Sequence, residues 1–218
     1  MLRRPARETP PPMVTTLYAL KPKFQELLRP LVGRLAAAGV TANEVTVLAL
    51  AMSVAAGAFV ALEAEAGAPF LLLPLVFLAR MTLNAIDGML AREFGQQSPL
   101  GAYLNELADV VSDAALYLPF AFVSPFGPWS IGLVTFASCV SEMAGALGPM
   151  VGTARRFDGP MGKSDRALVF GALGLYVGLG YSLPQVAFWL LPALAMLIGC
   201  NVLLRVRRGA ASAKKVPR

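Results

Sequence analysis

The sequence contains no histidine. That removes histidine-based triads, histidine general bases and every metal site built on imidazole. A bound metal must then be held by oxygen, which points to magnesium, manganese or calcium. Cysteine is scarce as well. Cys139 and Cys200 both lie in apolar runs, where thiols pack as small hydrophobes, and nothing suggests a disulfide framework or a zinc centre. Charged residues make up 15% of the 218 and hydrophobic ones 56%. A soluble domain of this length carries about a quarter charged residues, so the composition argues against one. The start, MLRRPARETPPPM, is basic and proline-rich but has no apolar core, which excludes a signal peptide.

What is present is a series of apolar stretches, several reaching the roughly 20 residues needed to cross a bilayer core. The expected fold is all-α and integral to the membrane, with six transmembrane helices and an amphipathic surface helix ahead of them. Residues 1–13 read as a disordered basic arm. Residues 14–40 mix basic and apolar residues at helical spacing and form one or two short juxtamembrane helices, broken at Pro22 and Pro30. Thr41 or Asn43 then caps the first span. The six spans are expected near 43–64, 69–92, 99–122, 128–151, 165–182 and 184–205, so that 41–205 is a single helical domain and 206–218 a basic tail.

Of the 19 lysines and arginines, Arg80 lies inside a span. The other 18 fall in the N-terminal segment, near Arg92, in the loop after the fourth span and in the C-terminal tail. The loops near 65–68, 123–127 and 182–184 contain none. The positive-inside rule therefore predicts both termini, and the segment joining the second and third spans, on the cytoplasmic side. The net charge of +6 is accounted for by topology and by attraction to lipid headgroups; no nucleic-acid partner is expected.

That joining segment is NAIDGMLAREFGQQSPLGAYLNELAD, residues 84–109. On the second span Arg80, Asn84, Asp87 and Ala91 follow i, i+4, i+7, i+11 and share a face. On the third span Gly101, Asn105, Asp109 and Asp113 follow i, i+4, i+8, i+12 and share another. The two spans are antiparallel. Counted from the cytoplasmic ends, Asn84 and Asp109 both lie roughly 12 Å deep and Arg80 and Asp113 roughly 18 Å deep, at 1.5 Å per residue. Two polar faces thus meet in matched layers. Interhelical hydrogen bonding alone explains one such residue, but several ionisable groups at membrane depth indicate a functional cavity. Asp113 is either Arg80's partner or a displaced metal ligand. Glu142 on the fourth span pairs with Arg80 in its place or touches a substrate. Gly88, Ala91, Gly101 and Ala102 leave room for close helix packing or for a flat ligand.

This stretch resembles the signature of the CDP-alcohol phosphotransferases, D-x2-D-G-x2-A-R-x8-G-x3-D-x3-D. Six of the eight fixed positions match, Asp87, Gly88, Ala91, Arg92, Gly101 and Asp109, and every spacing matches. The departures are Asn84 and Asn105 at the first and third aspartates, a pattern resembling a bacterial subgroup of the family. The resemblance implies transfer of a phosphatidyl group from a CDP-linked donor, in bacteria usually CDP-diacylglycerol, to an alcohol, with release of CMP in phospholipid synthesis. It implies an inner-membrane homodimer with its active site on the cytoplasmic side.

It also implies divalent metal, Mg2+ or Mn2+, on Asp87, Asp109, Asn84 and Asn105, with Asp109 as general base. Gly88, Ala91, Arg92 and Gly101 would form the nucleotide site. An amide oxygen can ligate a hard cation but carries no charge, so one tightly held metal is expected rather than two. Arg155, Arg156, Lys163 and Arg166, in the basic segment RRFDGPMGKSDRA, are candidates for an anionic acceptor such as a polyol phosphate; membrane topology alone would also place charge there. The competing readings are a lipid- or nucleotide-binding protein with a degenerate site, and a small transporter using the buried charges.

Overall fold

The computed structural model describes residues 21–213; the expected disordered arm, residues 14–20 and the end of the basic tail lie outside them. Among the described residues there are seven α-helices and no strand. They are α1 (Lys21–Ala37), α2 (Ala42–Leu62), α3 (Leu72–Glu93), α4 (Pro99–Tyr117), α5 (Pro128–Ala146), α6 (Lys163–Gly178) and α7 (Leu190–Ala213), with short 3-10 turns between several of them. Among the described residues four helical stretches are long and apolar enough to cross a membrane: Ala42–Leu62, Ala68–Glu93, Pro128–Val151 and Gln185–Ala213. α4 carries Glu106, Asp109 and Asp113, and α6 has only 16 residues. Leu75, Leu78, Leu133, Phe136 and Met196 point away from the bundle, an apolar exterior suited to lipid.

The helix starts follow local chemistry. Thr41 accepts a hydrogen bond from the Glu44 N–H at 3.2 Å, and Glu44 accepts one from the Thr41 N–H at 2.8 Å, a reciprocal cap on α2. Ser98 accepts from the Gly101 N–H at 2.9 Å, and Pro99 stands at the first position of α4, where its missing N–H costs nothing. α1 differs from expectation. It runs through Pro30 without a break, because Pro30 and Glu26, whose carbonyl loses its partner, both face outward where polar surroundings can serve that carbonyl. α6 ends at Gly178 rather than near 182, and α7 stays helical to Ala213, past the expected end of the last span.

α2 packs on α3 and α4, α3 on α6, α4 on α5, and α5 on α7. One half of the bundle is filled by an apolar core including Phe70, Phe77, Tyr117, Phe120, Phe170 and Ile198. Tyr117 stacks on Phe170 at a centroid distance of 4.0 Å, and Phe120 meets Phe170 edge-on at 5.3 Å. A second apolar cluster, Leu28, Val32, Val45, Ile86, Met89 and Leu90, fastens α1 to α2 and α3. Gln96, in the α3–α4 loop, accepts from the Ala42 N–H at 2.6 Å and donates to the Val40 carbonyl at 3.2 Å, tying that loop to the α1–α2 junction.

α2 and α4 approach closely at Gly57. A Cβ there would lie 2.1 Å from the carbonyl oxygen of Ala115, which is backbone and cannot swing aside. Gly57→Ala should therefore push the two helices apart and cost about 1–3 kcal/mol, as overpacking does. Gly132→Ala, which meets nothing within 4 Å, should cost nothing. Thermal unfolding in detergent distinguishes the two; equal melting temperatures would contradict the packing described.

Candidate active site

The facing sides of α3 and α4 carry the polar residues, and α2, α5 and α6 close the space around them. Asp87 is buried, and its Oδ2 accepts a hydrogen bond from Thr46 of α2 at 2.9 Å. Asp87 takes part in no ion pair among the described residues. Asp109, also buried, is ion-paired through Oδ1 with the Lys163 ammonium. The same oxygen lies 3.5 Å from Arg80 Nη2 and accepts from the Asn84 amide at 3.4 Å. Asn105 is half-buried on the α4 face.

Beneath these lies a buried ionic network. Arg80 donates to Asp113 Oδ1 at 2.5 Å and to the Asp109 carbonyl at 2.9 Å. Arg166, only 1% exposed, donates to Asp113 Oδ2 and to Glu142 Oε1, both at 2.9 Å, and to the Met161 carbonyl at 3.2 Å. Arg155 is ion-paired with Glu106 and donates to Glu142 Oε2 at 3.1 Å. Arg205 of α7 donates to the Ser141 carbonyl at 2.5 Å and stands 3.9 Å from Glu142. Each guanidinium at membrane depth has an anionic or carbonyl partner, as the cost of an unpaired one requires.

At the end of α3 the Arg92 guanidinium folds back over Gly88: a Cβ at Gly88 would lie 2.8 Å from it. A Cβ at Gly101 would lie 2.8 Å from the Asn43 amide oxygen. Ala91 is half-buried between them in the chain. The small residues thus leave space that Arg92 and Asn43 border.

The segment before α6 is built against α7. Asp158 accepts from Arg156 at 2.7 Å and from Arg208 at 2.9 Å, and its carbonyl accepts from Arg205 at 3.3 Å. Asn201 donates to the Pro160 carbonyl at 2.8 Å and accepts from Ser141 at 3.0 Å. Gly159, at φ +96°, seats against the Asn201 backbone. The basic residues expected to meet an acceptor are thus divided: Arg155, Arg156 and Arg166 are engaged within the protein, and Lys163 faces the motif carboxylates.

Several of these partners are not in the motif. Thr46 is one of two hydroxyl residues, with Ser53, in an apolar helix, and Glu106 is the residue after Asn105. Ser141 is one of several polar residues of α5, and Asn201 and Arg205 interrupt the apolar run of α7. Each carried that signal, but one helix's spacing cannot say which residue of another helix it meets.

A family model described as CDP-alcohol phosphatidyltransferase matches residues 39–201. The chain belongs to that family. It is a membrane-embedded transferase of this enzyme class, which moves a phosphatidyl group from a CDP-alcohol. It is 49% identical over 164 residues to the Inner membrane protein YnbA of Escherichia coli, covering 75% of this chain and 81% of that one. It is 25% identical over 186 residues to the Archaetidylinositol phosphate synthase of Pyrococcus horikoshii, covering 80% of this chain and 91% of that one. It is 29% identical over 126 residues to the enzyme of the same name from Aeropyrum pernix, covering 58% and 63%.

The family uses divalent metal ions. The donors here suit one. Asp87 is a buried carboxylate whose direct side-chain partner is a neutral hydroxyl, and the site's other candidate donors are hard oxygens of Asp109, Asn84 and Asn105. Among the described residues no three Asp, Glu, His or Cys side chains cluster for a metal.

Two predictions test the network. Arg80→Ala or Asp113→Ala alone leaves a buried charge short of its partner and should cost about 3–5 kcal/mol. The double variant should lose less than the sum, and strict additivity would argue against direct coupling. The second concerns Asp158. Partial burial opposes its ionisation, but the hydrogen bonds from Arg208 and Arg156 outweigh it and hold the carboxyl below the usual carboxylate range. Its contribution is thus complete above the unfolded value of about 4 and is lost as pH falls through the folded value. Hydrogen exchange of residues 152–162, corrected for intrinsic rate, should stay slow from neutrality to that point. Asp158→Asn should quicken it at neutral pH.

Proposed function

We propose that the protein transfers the phosphatidyl group of CDP-diacylglycerol to a phosphorylated polyol, releasing CMP, in phospholipid synthesis. The observation that carries this reading is the Lys163–Asp109 ion pair, with the second motif aspartate, Asp87, buried near both. A motif carboxylate pair there faces a cation that is not part of the motif. The names of the two archaeal relatives, synthases of archaetidylinositol phosphate, support a phosphorylated acceptor.

In this reading Asp87, Asp109, Asn84 and Asn105 hold Mg2+ or Mn2+. Bound there, the ion neutralises charge on the donor's pyrophosphate and on departing CMP. Asp87 is oriented by Thr46. Arg92 contacts a donor phosphate, and Gly88, Ala91 and Gly101 give the cytidine its space. Asp109 takes the proton of the acceptor hydroxyl as its oxygen attacks the phosphatidyl phosphorus. The bond from that phosphorus to the bridging oxygen breaks, and CMP leaves with the oxygen. Lys163 meets the acceptor phosphate, while Arg155, Arg156 and Arg166 shape its surroundings. The six helices α2–α7 span an inner membrane, with both termini and the cavity cytoplasmic, and two copies form a homodimer.

The test is CMP release from labelled CDP-diacylglycerol by the purified protein with a panel of alcohols and polyol phosphates, the lipid product read by mass spectrometry. Activity should require Mg2+ or Mn2+ and vanish in excess EDTA. Asp87→Asn and Asp109→Asn should each lower kcat/KM by at least about a hundredfold, the scale of one lost acid–base group. Full activity in EDTA would refute the metal assignment. A product formed only from uncharged alcohols would refute the phosphorylated acceptor.

A further inference from the structure

The cations around the cavity differ in how firmly they are held. Arg166 is enclosed and shared among Asp113, Glu142 and a backbone carbonyl. Arg155 is clamped by Glu106 and Glu142, and Arg156 by Asp158. Lys163, like Arg156, has one carboxylate partner, but that partner is the motif residue Asp109, and the Lys163 side chain is 23% exposed where that of the enclosed Arg166 is 1% exposed. It sits in the first turn of α6, on a flexible four-carbon stem. The oxygen it occupies is the one already crowded by Arg80 and the Asn84 amide.

Asp109 carries one negative charge, and both neighbours that the motif would make acidic are the neutral Asn84 and Asn105. A divalent ion and an ammonium on the same carboxylate oxygen would repel each other, with no further carboxylate at those positions to offset it. Asp87, buried nearby, has no ion pair among the described residues, so a divalent ion has a second carboxylate available.

We propose that Lys163 and the divalent ion are alternative occupants of Asp109, and that metal loading releases the Lys163 ammonium to bind the acceptor's phosphate. The proposal rests on the metal and phosphorylated-acceptor reading above and adds an order to it. In the free enzyme Lys163 neutralises Asp109. With the metal on Asp87 and Asp109, Lys163 is left as a cation without a carboxylate, and an incoming phosphate restores its pairing. Metal and acceptor phosphate thus bind with positive coupling, and the coupling is reciprocal.

The test uses the full chain in detergent and Mn2+ binding followed by electron paramagnetic resonance, with no turnover needed. Lys163→Met should bind Mn2+ about tenfold more tightly than the wild type, the scale of removing one competing unit charge. Lys163→Arg, which keeps the charge, should remain near wild type. Inorganic phosphate should tighten Mn2+ binding by the wild type and not by Lys163→Met. Equal Mn2+ affinity in wild type and Lys163→Met, with both binding, overturns this proposal alone. Absence of Mn2+ binding in both overturns the metal reading as well.

A measurement on the wild type guards against a misfolded variant. Acetylation of Lys163, read by peptide mass spectrometry, should rise when Mn2+ is added and fall again with phosphate. Labelling that ignores Mn2+, or falls with it, overturns the proposal.

Discussion

Asp113 accepts a guanidinium on each of its oxygens, Arg80 on one and Arg166 on the other. A carboxylate so placed costs several kcal/mol to bury, and each guanidinium costs as much. The three are tolerable only together, and they arise from three helices: Arg80 from α3, Asp113 from α4 and Arg166 from α6. Glu142 brings in α5 through Arg166, and Arg205 brings in α7. The polar half of the bundle is therefore arranged by charge pairing where the other half is arranged by aromatic packing. Tyr117 belongs to both: its ring stacks on Phe170 and its hydroxyl lies 3.4 Å from Arg166 Nε.

This division explains the placing of the catalytic candidates. Arg80 is fixed by Asp113 and by the Asp109 carbonyl, so the backbone that carries Asp109 is held from below. Asp87 is held from the side by Thr46. Both carboxylates are thus positioned by groups with no need to touch a substrate. The two asparagines keep oxygen donors at the motif positions and lower the cavity's negative charge, in keeping with a lysine that bonds directly to Asp109.

Much of this was legible in the chain. Helical periodicity and antiparallel pairing put Arg80 and Asp113 in one layer and Asn84 and Asp109 in another, because both depend only on a fixed rise per residue. The choice left open for Asp113 was between one arginine and a metal, and the structure gives it two arginines. Arg166 could not be assigned from spacing, since its position depends on how α6 lies against α4. The run of four cations from Arg155 to Arg166 reads in sequence as one basic patch. In three dimensions Glu106, Glu142 and Asp158 divide it, and their contacts span 2 to 49 residues of sequence. α4, expected as a span, is not among the four stretches long and apolar enough to cross a membrane, since Glu106, Asp109 and Asp113 lower its hydropathy.

The Gln96 staple has a mechanical consequence. Gln96 binds the α3–α4 loop to the α1–α2 junction, and the Arg29–Glu93 ion pair at 3.1 Å joins α1 itself to the end of α3. α1 also presents Leu27 and Leu31 outward, where a lipid surface can receive them. α1 and the loop linking the two motif helices are thus fastened at one end of the bundle. A displacement of α1 is therefore passed to both motif helices together, through the ends that carry Arg92 and Gly101.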